Sequence, residues 1–208
     1  MSTRFNQTLY YFVISVMVIS GIALGIYYFA KGDTSRLYMG LISFLFLLIP
    51  YALHKARIRV PHRFMALFFI FIILAYNIGF IMSGYHRFSF YDKFVHFVSG
   101  FTFFIVGMGI ASYLQTYKRV NWRLDVLFAL FFSMFIALLN EFIECGAYLL
   151  TGDDPQHTLD TGVMDTMGDL TACLVSSIIC LLLYALFFHK RFQLFKHPII
   201  TEFEELNK

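Results

Sequence analysis

The chain has 208 residues, 59% of them hydrophobic, 20% aromatic and 14% charged, with a formal net charge of +3. A soluble domain of this length cannot hide so much apolar surface, so lipid is the expected solvent for most of it. The charge is too small for a nucleic-acid binder, and no basic run is interleaved with aromatics in an RNA-binding pattern.

A spanning helix needs about 20 apolar residues, because nothing in hydrocarbon satisfies free backbone groups. The first such run, Leu9–Ala30, follows Arg4. It is too long for a signal-peptide core and lacks a small-x-small cleavage site, so it reads as a retained helix. Further runs lie at Leu37–Leu53, Phe64–Ser83 and Phe94–Tyr117, then from Val126 to Leu150, interrupted only by two glutamates, and at Leu170–Phe188. The expectation is an all-α, polytopic membrane protein: one domain, residues 1–208, of six transmembrane helices. No linker, repeat or low-complexity segment divides it. In the fourth run Gly100, Gly107, Gly109 and Ala111 form a small-residue face suited to close helix packing. The Phe-rich stretches read as lipid-facing or packing surface.

Six helices put both termini on one side, and basic residues choose that side. An N-in, C-in arrangement places twelve of the sixteen Lys and Arg residues inside, leaving Lys31, Arg36, Arg87 and Lys93 outside. His54, His62, His189 and His197 then read as interface anchors on the inner side. A bacterial cytoplasmic membrane is the expected location. Cys145, Cys173 and Cys180 are odd in number and lack CxxC spacing. They read as small packing residues, with a single Cys145–Cys173 bridge left open.

With this orientation the unusual polar residues fall on one level. The fourth helix enters as "YDKFVHFVSGF", with Asp92 and His96 on one face. The fifth arrives as "LLNEFIECGAY", with Glu141 and Glu144 on one face. The sixth begins in "LDTGVMDTMGDLTAC", which stacks Asp165, Asp169 and Cys173 at successive turns. The loop before it adds Asp153, Asp154, His157 and Asp160, and no Lys or Arg occurs between Glu141 and Asp169.

Two carboxylates about 6 Å apart repel by roughly 3 kcal/mol at an effective dielectric of 20. Several in one partly dry pocket need raised pKa values, a basic partner or a bound cation. Lys93 and Arg87 are the nearby bases, too few for the whole set. A divalent ion held by carboxylates and one imidazole fits the inventory, with Zn²⁺, Mn²⁺, Fe²⁺ and Mg²⁺ all open. Simpler readings exist for some members. Asp92 and Asp160 suit helix caps, Asp153 and Asp154 beside Pro155 suit a wet turn, and His96 suits an interfacial histidine. Glu141, Glu144 and Asp169 resist such readings, because an ionisable residue inside a span costs about 2.5–3.5 kcal/mol at mid-membrane. Asn77, inside the third helix, either bonds a neighbour or reaches the same pocket.

The stretches "YDKFVHFVSGF", "NEFIE" and "LDTGVMDTMGDL" together resemble the YjdF-like bacterial inner-membrane proteins, over roughly the C-terminal two-thirds of the chain. In that family an Asp-x-x-x-His, a Glu-x-x-Glu and an Asp-rich segment occur in this order. "DKFVH" is also similar to the VanZ-like pattern Asp-Lys-x-x-His, although the VanZ-type Gln after the Glu is absent. Carried over by position, the resemblance implies Asp92, His96, Glu141, Glu144, Asp165 and Asp169 as site residues, and it implies no reaction.

Three functions are compatible with these residues. The first is a metal-dependent hydrolase or transferase acting from the outer face on a membrane lipid or lipid-linked envelope substrate. His96, Glu141, Asp165 and Asp169 would be ligands, Glu144 the base or a further ligand, and Asp92 the group that orients His96. The second is a divalent-cation or proton-coupled transporter. Below the outer third, however, only Asn77, Ser99, Thr102, Ser133, Ser176 and Ser177 would continue a polar path, and no inverted repeat is visible. The third is a non-catalytic protein with a structural metal.

Overall fold

The computed structural model describes residues 3–114, 122–152, 154–188 and 206. Its α-helices are α1 (Thr3–Ala30), α2 (Thr34–Leu45), α3 (Leu48–Lys55), α4 (His62–Ile72), α5 (Gly84–Arg87), α6 (Tyr91–Leu114), α7 (Trp122–Thr151), α8 (Thr158–Thr161) and α9 (Met164–Phe188). The four-residue α5 and α8 were not expected from the sequence. No strand occurs among the described residues. Among the described residues, six stretches are long and apolar enough to cross a membrane: Arg4–Ala30, Thr34–Lys55, His62–Ile81, Tyr91–Leu114, Trp122–Thr151 and Met164–Leu186. Their outward faces carry large apolar side chains, and Leu150 is 88% exposed. Lipid is the environment in which that surface is stable.

Two of the spans depart from a plain α-helix. The second is broken at Phe46 and Leu47, between α2 and α3. Pro50 supplies the reason. It has no N–H for the Phe46 carbonyl, and its ring crowds that group, so one continuous helix is excluded. The third widens after α4 into π-helical turns at Ile73–Ile81, where the Met82 N–H reaches the Asn77 carbonyl at 3.0 Å. Other groups take up carbonyls of this segment. Tyr91 Oη donates to Leu74 O at 2.9 Å, and Arg36 Nη1 donates to Ile81 O at 3.0 Å.

The chain forms two compact units, which include residues 3–92 and 93–188. In the first, Val13 and Met17 of α1 bury against Met65, Ala66, Phe69 and Ile72 of α4. Asn77 Nδ2 donates to Met17 O at 2.9 Å and to Ser20 Oγ at 2.6 Å. Asn77 therefore ties the π-helical turns to α1, as expected of a buried amide bonding a neighbouring helix.

The second unit contains α6, α7 and α9, and its helices approach at glycines. A Cβ built on Gly100 would lie 1.9 Å from Ser176 Oγ and 2.5 Å from the Cys173 carbonyl oxygen of α9. One on Gly107 would lie 2.8 Å from Ala129 Cα of α7. Close approach lets hydroxyls bridge the three helices. Ser133 Oγ donates to Gly100 O at 3.1 Å and lies 2.9 Å from Ser177 Oγ, and Cys173 Sγ lies 3.5 Å from Ser133 Oγ. Further along, Phe104, Met108, Val126, Ala129 and Tyr184 form a buried, largely apolar cluster. Cys145, Cys173 and Cys180 are free thiols, so no Cys145–Cys173 bridge forms.

Gly100→Ala should therefore destabilise this unit by about 1–3 kcal/mol, the usual cost of overpacking. Thermal unfolding in detergent measures it. An unchanged midpoint would mean that α6 and α9 are not pinned at this contact.

Candidate metal centre

Three helix ends supply the polar residues of the second unit. His96 lies in the second turn of α6, Glu141 and Glu144 ten and seven residues before the end of α7, and Asp165 and Asp169 at the start of α9. His96 is 7% exposed, Glu141 3% and Asp169 1%, while Glu144 and Asp165 are half-buried. Asp92 is half-buried in the first turn of α6, four residues before His96 on the same helix face.

His96, Glu141 and Glu144 converge: one nitrogen or oxygen from each lies within 4.8 Å of the others. Each glutamate is steadied by a neutral amide. Asn140, one turn earlier on α7, donates from Nδ2 to Glu144 Oε1 at 2.6 Å. Gln156, from the loop after α7, donates from Nε2 to Glu141 Oε2 at 3.0 Å and to the Glu141 carbonyl at 3.1 Å. It also lies 3.2 Å from Thr166 Oγ1 of α9. Both Glu141 groups are acceptors, so the amide must present its NH₂ end. Glu141 Oε1 is buried and has no hydrogen-bond partner among the described residues. An acceptor left in that condition costs about 1–3 kcal/mol or more unless something binds it.

The two aspartates are placed differently. Lys93 Nζ lies 2.6 Å from Asp165 Oδ1 and 2.8 Å from Asp169 Oδ1, and it donates to the Asp165 carbonyl at 3.2 Å. Gly168 makes room for the lysine, since a Cβ there would lie 2.8 Å from Lys93 Cε. His96 Nε2 stands 3.7 Å from Asp169 Oδ1, next to this ion pair. Of the five residues expected from the sequence as ligands, the structure brings His96, Glu141 and Glu144 within mutual ligand distance, sets Asp169 within the same distance of His96, and gives Asp165 and Asp169 a lysine. Such an arrangement can hold a cation between the imidazole and the glutamates while the aspartates keep their own counter-ion.

The acidic loop is mainly architecture. Asp154 accepts from Thr158 N at 3.0 Å, Thr158 Oγ1 at 2.8 Å and Leu159 N at 2.8 Å, which closes the turn into α8. His157 is exposed in a left-handed conformation (φ 50°), and Asp160 is exposed within α8. Asp153 falls outside the described residues. Asn140 was within reach of sequence reasoning, because it precedes Glu144 by four residues on a helix. Gln156 was not, since a loop has no periodicity to reveal it.

Two outcomes follow from this geometry. Lys93→Met should cost about 2–3 kcal/mol, because the buried Asp169 loses its lysine, and adding Asp169→Asn should recover part of the loss. Chemical or thermal denaturation of the single and double variants measures both. A neutral single variant would remove the ion pair from the account. The second outcome concerns Asp154. The Leu159 N–H first, then the Thr158 groups, hold its carboxyl below the usual value. Its contribution is complete above the unfolded value of about 3.9 and is lost as pH falls through the lowered folded value. At neutral pH, Asp154→Ala should raise amide exchange at Thr158 and Leu159. The difference from the native chain should vanish below the lowered pKa.

A family described as predicted membrane protein, DUF2238, matches this chain over residues 10–191. The match brings neither the YjdF-like nor the VanZ-like designation, and it names no activity. No curated protein and no solved structure matches the chain.

Proposed function

The chain belongs to the predicted membrane protein family DUF2238, and from that premise we propose that it is a multi-pass membrane protein holding a divalent metal ion between His96, Glu141 and Glu144. The observation that carries this reading is Glu141. Its carboxylate is 3% exposed, it faces an imidazole and a second carboxylate, and one of its oxygens is buried with no hydrogen-bond donor among the described residues. Lys93, the basic group on the same helix as His96, is engaged by Asp165 and Asp169. A divalent cation offers that oxygen a partner and offsets the repulsion between the glutamates.

The reaction class that suits the site best is hydrolysis or group transfer on a lipid or cell-envelope substrate. A bound ion supplies Lewis acidity and brings the pKa of a water towards 7. Glu144, half-buried, would hold the ion with one oxygen and would accept a water's proton at Oε1, which keeps a second lone pair beside the Asn140 bond, as that water added to the ester carbon or phosphorus. The ester bond then breaks, and the proton passes to the departing oxygen. Asp92, one turn before His96, would bias the imidazole's orientation. Depth supports a lipid-borne substrate. His96 and Asp169 each lie five residues from the start of their helix, or about 8 Å along the axis, near the boundary between headgroup and acyl chain. The distribution of basic residues supports an extracytoplasmic opening.

Transport is the weaker reading. The polar line from the site continues through Ser99, Ser133, Cys173, Ser176 and Ser177, all buried, but ends at Phe104, Met108, Val126 and Ala129. Apart from the Tyr184 hydroxyl, that cluster offers an ion no ligands.

Metal analysis of protein purified in detergent tests the proposal. The native chain should retain about one divalent ion per molecule, and Glu141→Gln should lose it while remaining folded. Equal metal in both, or none in either, would refute the site. If the ion is present, phosphate and carboxylate esters of lipids should be turned over by the native chain and not by Glu144→Gln.

A further inference from the structure

Asn140 and Gln156 neither ligate nor transfer a proton in the chemistry described so far, yet each spends a hydrogen bond on a glutamate of the centre. Gln156 donates to Glu141 Oε2 at 3.0 Å and Asn140 to Glu144 Oε1 at 2.6 Å. In both cases one oxygen of the carboxylate is taken by an N–H. The amide N–H draws electron density from that oxygen and fixes the plane of the carboxylate, so the other oxygen is the stronger donor and ligation through both is disfavoured. The amides also add no charge, so they orient the glutamates without replacing the cation. The orphaned acceptor, Glu141 Oε1, is the oxygen that Gln156 does not hold.

We propose that Asn140 and Gln156 are positioning residues that confine Glu141 and Glu144 to single-oxygen ligation, and that the centre thereby selects a small transition-metal ion such as Mn²⁺, Fe²⁺ or Zn²⁺ over Ca²⁺. This rests on the metal-centre reading above. Ca²⁺ takes six to eight oxygen ligands at about 2.3–2.6 Å and commonly uses carboxylates through both oxygens. Single-oxygen glutamates and an imidazole nitrogen give it too few donors of the wrong kind. The same set suits borderline ions, for which imidazole is a good ligand and four or five donors suffice. Gln156 also contacts Thr166 and the Glu141 carbonyl, so the loop that carries it joins α7 to α9 directly over the centre. Donors that orient ligating side chains typically contribute about 10–100-fold in metal affinity.

The test uses the full chain in detergent, stripped with a chelator and titrated with Co²⁺, whose visible absorption reports ligand number and type. Ca²⁺ serves as competitor. The native chain should bind Co²⁺ and keep it against a hundredfold excess of Ca²⁺. Gln156→Ala should weaken Co²⁺ binding by about 10–100-fold. The same change should also raise the relative affinity for Ca²⁺, because Glu141 can then offer both oxygens. Asn140→Ala should do likewise through Glu144. A merely structural loss would weaken both ions together and leave their ratio unchanged, which would overturn the inference. Unaltered Co²⁺ affinity in both variants would overturn it too, with the metal centre itself intact. A native chain that takes up no Co²⁺, or a Glu141→Gln variant that binds it as tightly, would remove the centre and this inference together.

Discussion

A carboxylate inside a membrane helix is the constraint on which the second unit turns. Glu141 is almost wholly buried on α7, ten residues before the helix ends at Thr151. Leucine at that position would serve membrane insertion far better, by about 2.5–3.5 kcal/mol at mid-membrane. The surroundings show how the residue is accommodated: an amide on one oxygen, an imidazole and a second carboxylate nearby, and one oxygen with no donor. The fold reduces the cost of the charge without cancelling it, and an incomplete cancellation is the usual condition of a binding site.

The acidic residues are divided between two kinds of partner. Lys93 serves Asp165 and Asp169, and the primary amides of Asn140 and Gln156 serve the glutamates. A lysine carries charge, so it offsets part of the aspartates' charge and stabilises the meeting of α6 with α9. An amide orients without neutralising, so the glutamates keep their demand for a cation. His96 stands where the two sides meet, 3.7 Å from Asp169 and within reach of both glutamates.

This arrangement depends on residues with no polar chemistry of their own. Gly100 and Gly107 bring α6 close enough to α9 and α7 for Ser133, Ser177 and Cys173 to bond across the interfaces. In hydrocarbon such contacts replace the hydrophobic effect as the source of helix association, because lipid tails are as apolar as leucine. The polar network gives way to packed Phe104, Met108, Val126 and Ala129.

Hydropathy and length by themselves determined the six spans and the all-helical class, since a bilayer allows few alternatives to a helix of about 20 apolar residues. Helical spacing likewise determined which polar side chains share a face, and so nominated His96, Glu141, Glu144, Asp165 and Asp169. Tertiary structure alone decided how these residues pair. Periodicity fixes a side chain's direction on its own helix but not the rotation of one helix against the next, and that rotation gave Lys93 to the aspartates. Nor does it reach loops, so Gln156 came to light only once the turn closed by Asp154 was folded over α7. The break before α3 was written in Pro50, whereas the π-helical turns at Ile73–Ile81 depend on Tyr91 and Arg36 reaching their carbonyls, contacts that no local pattern encodes.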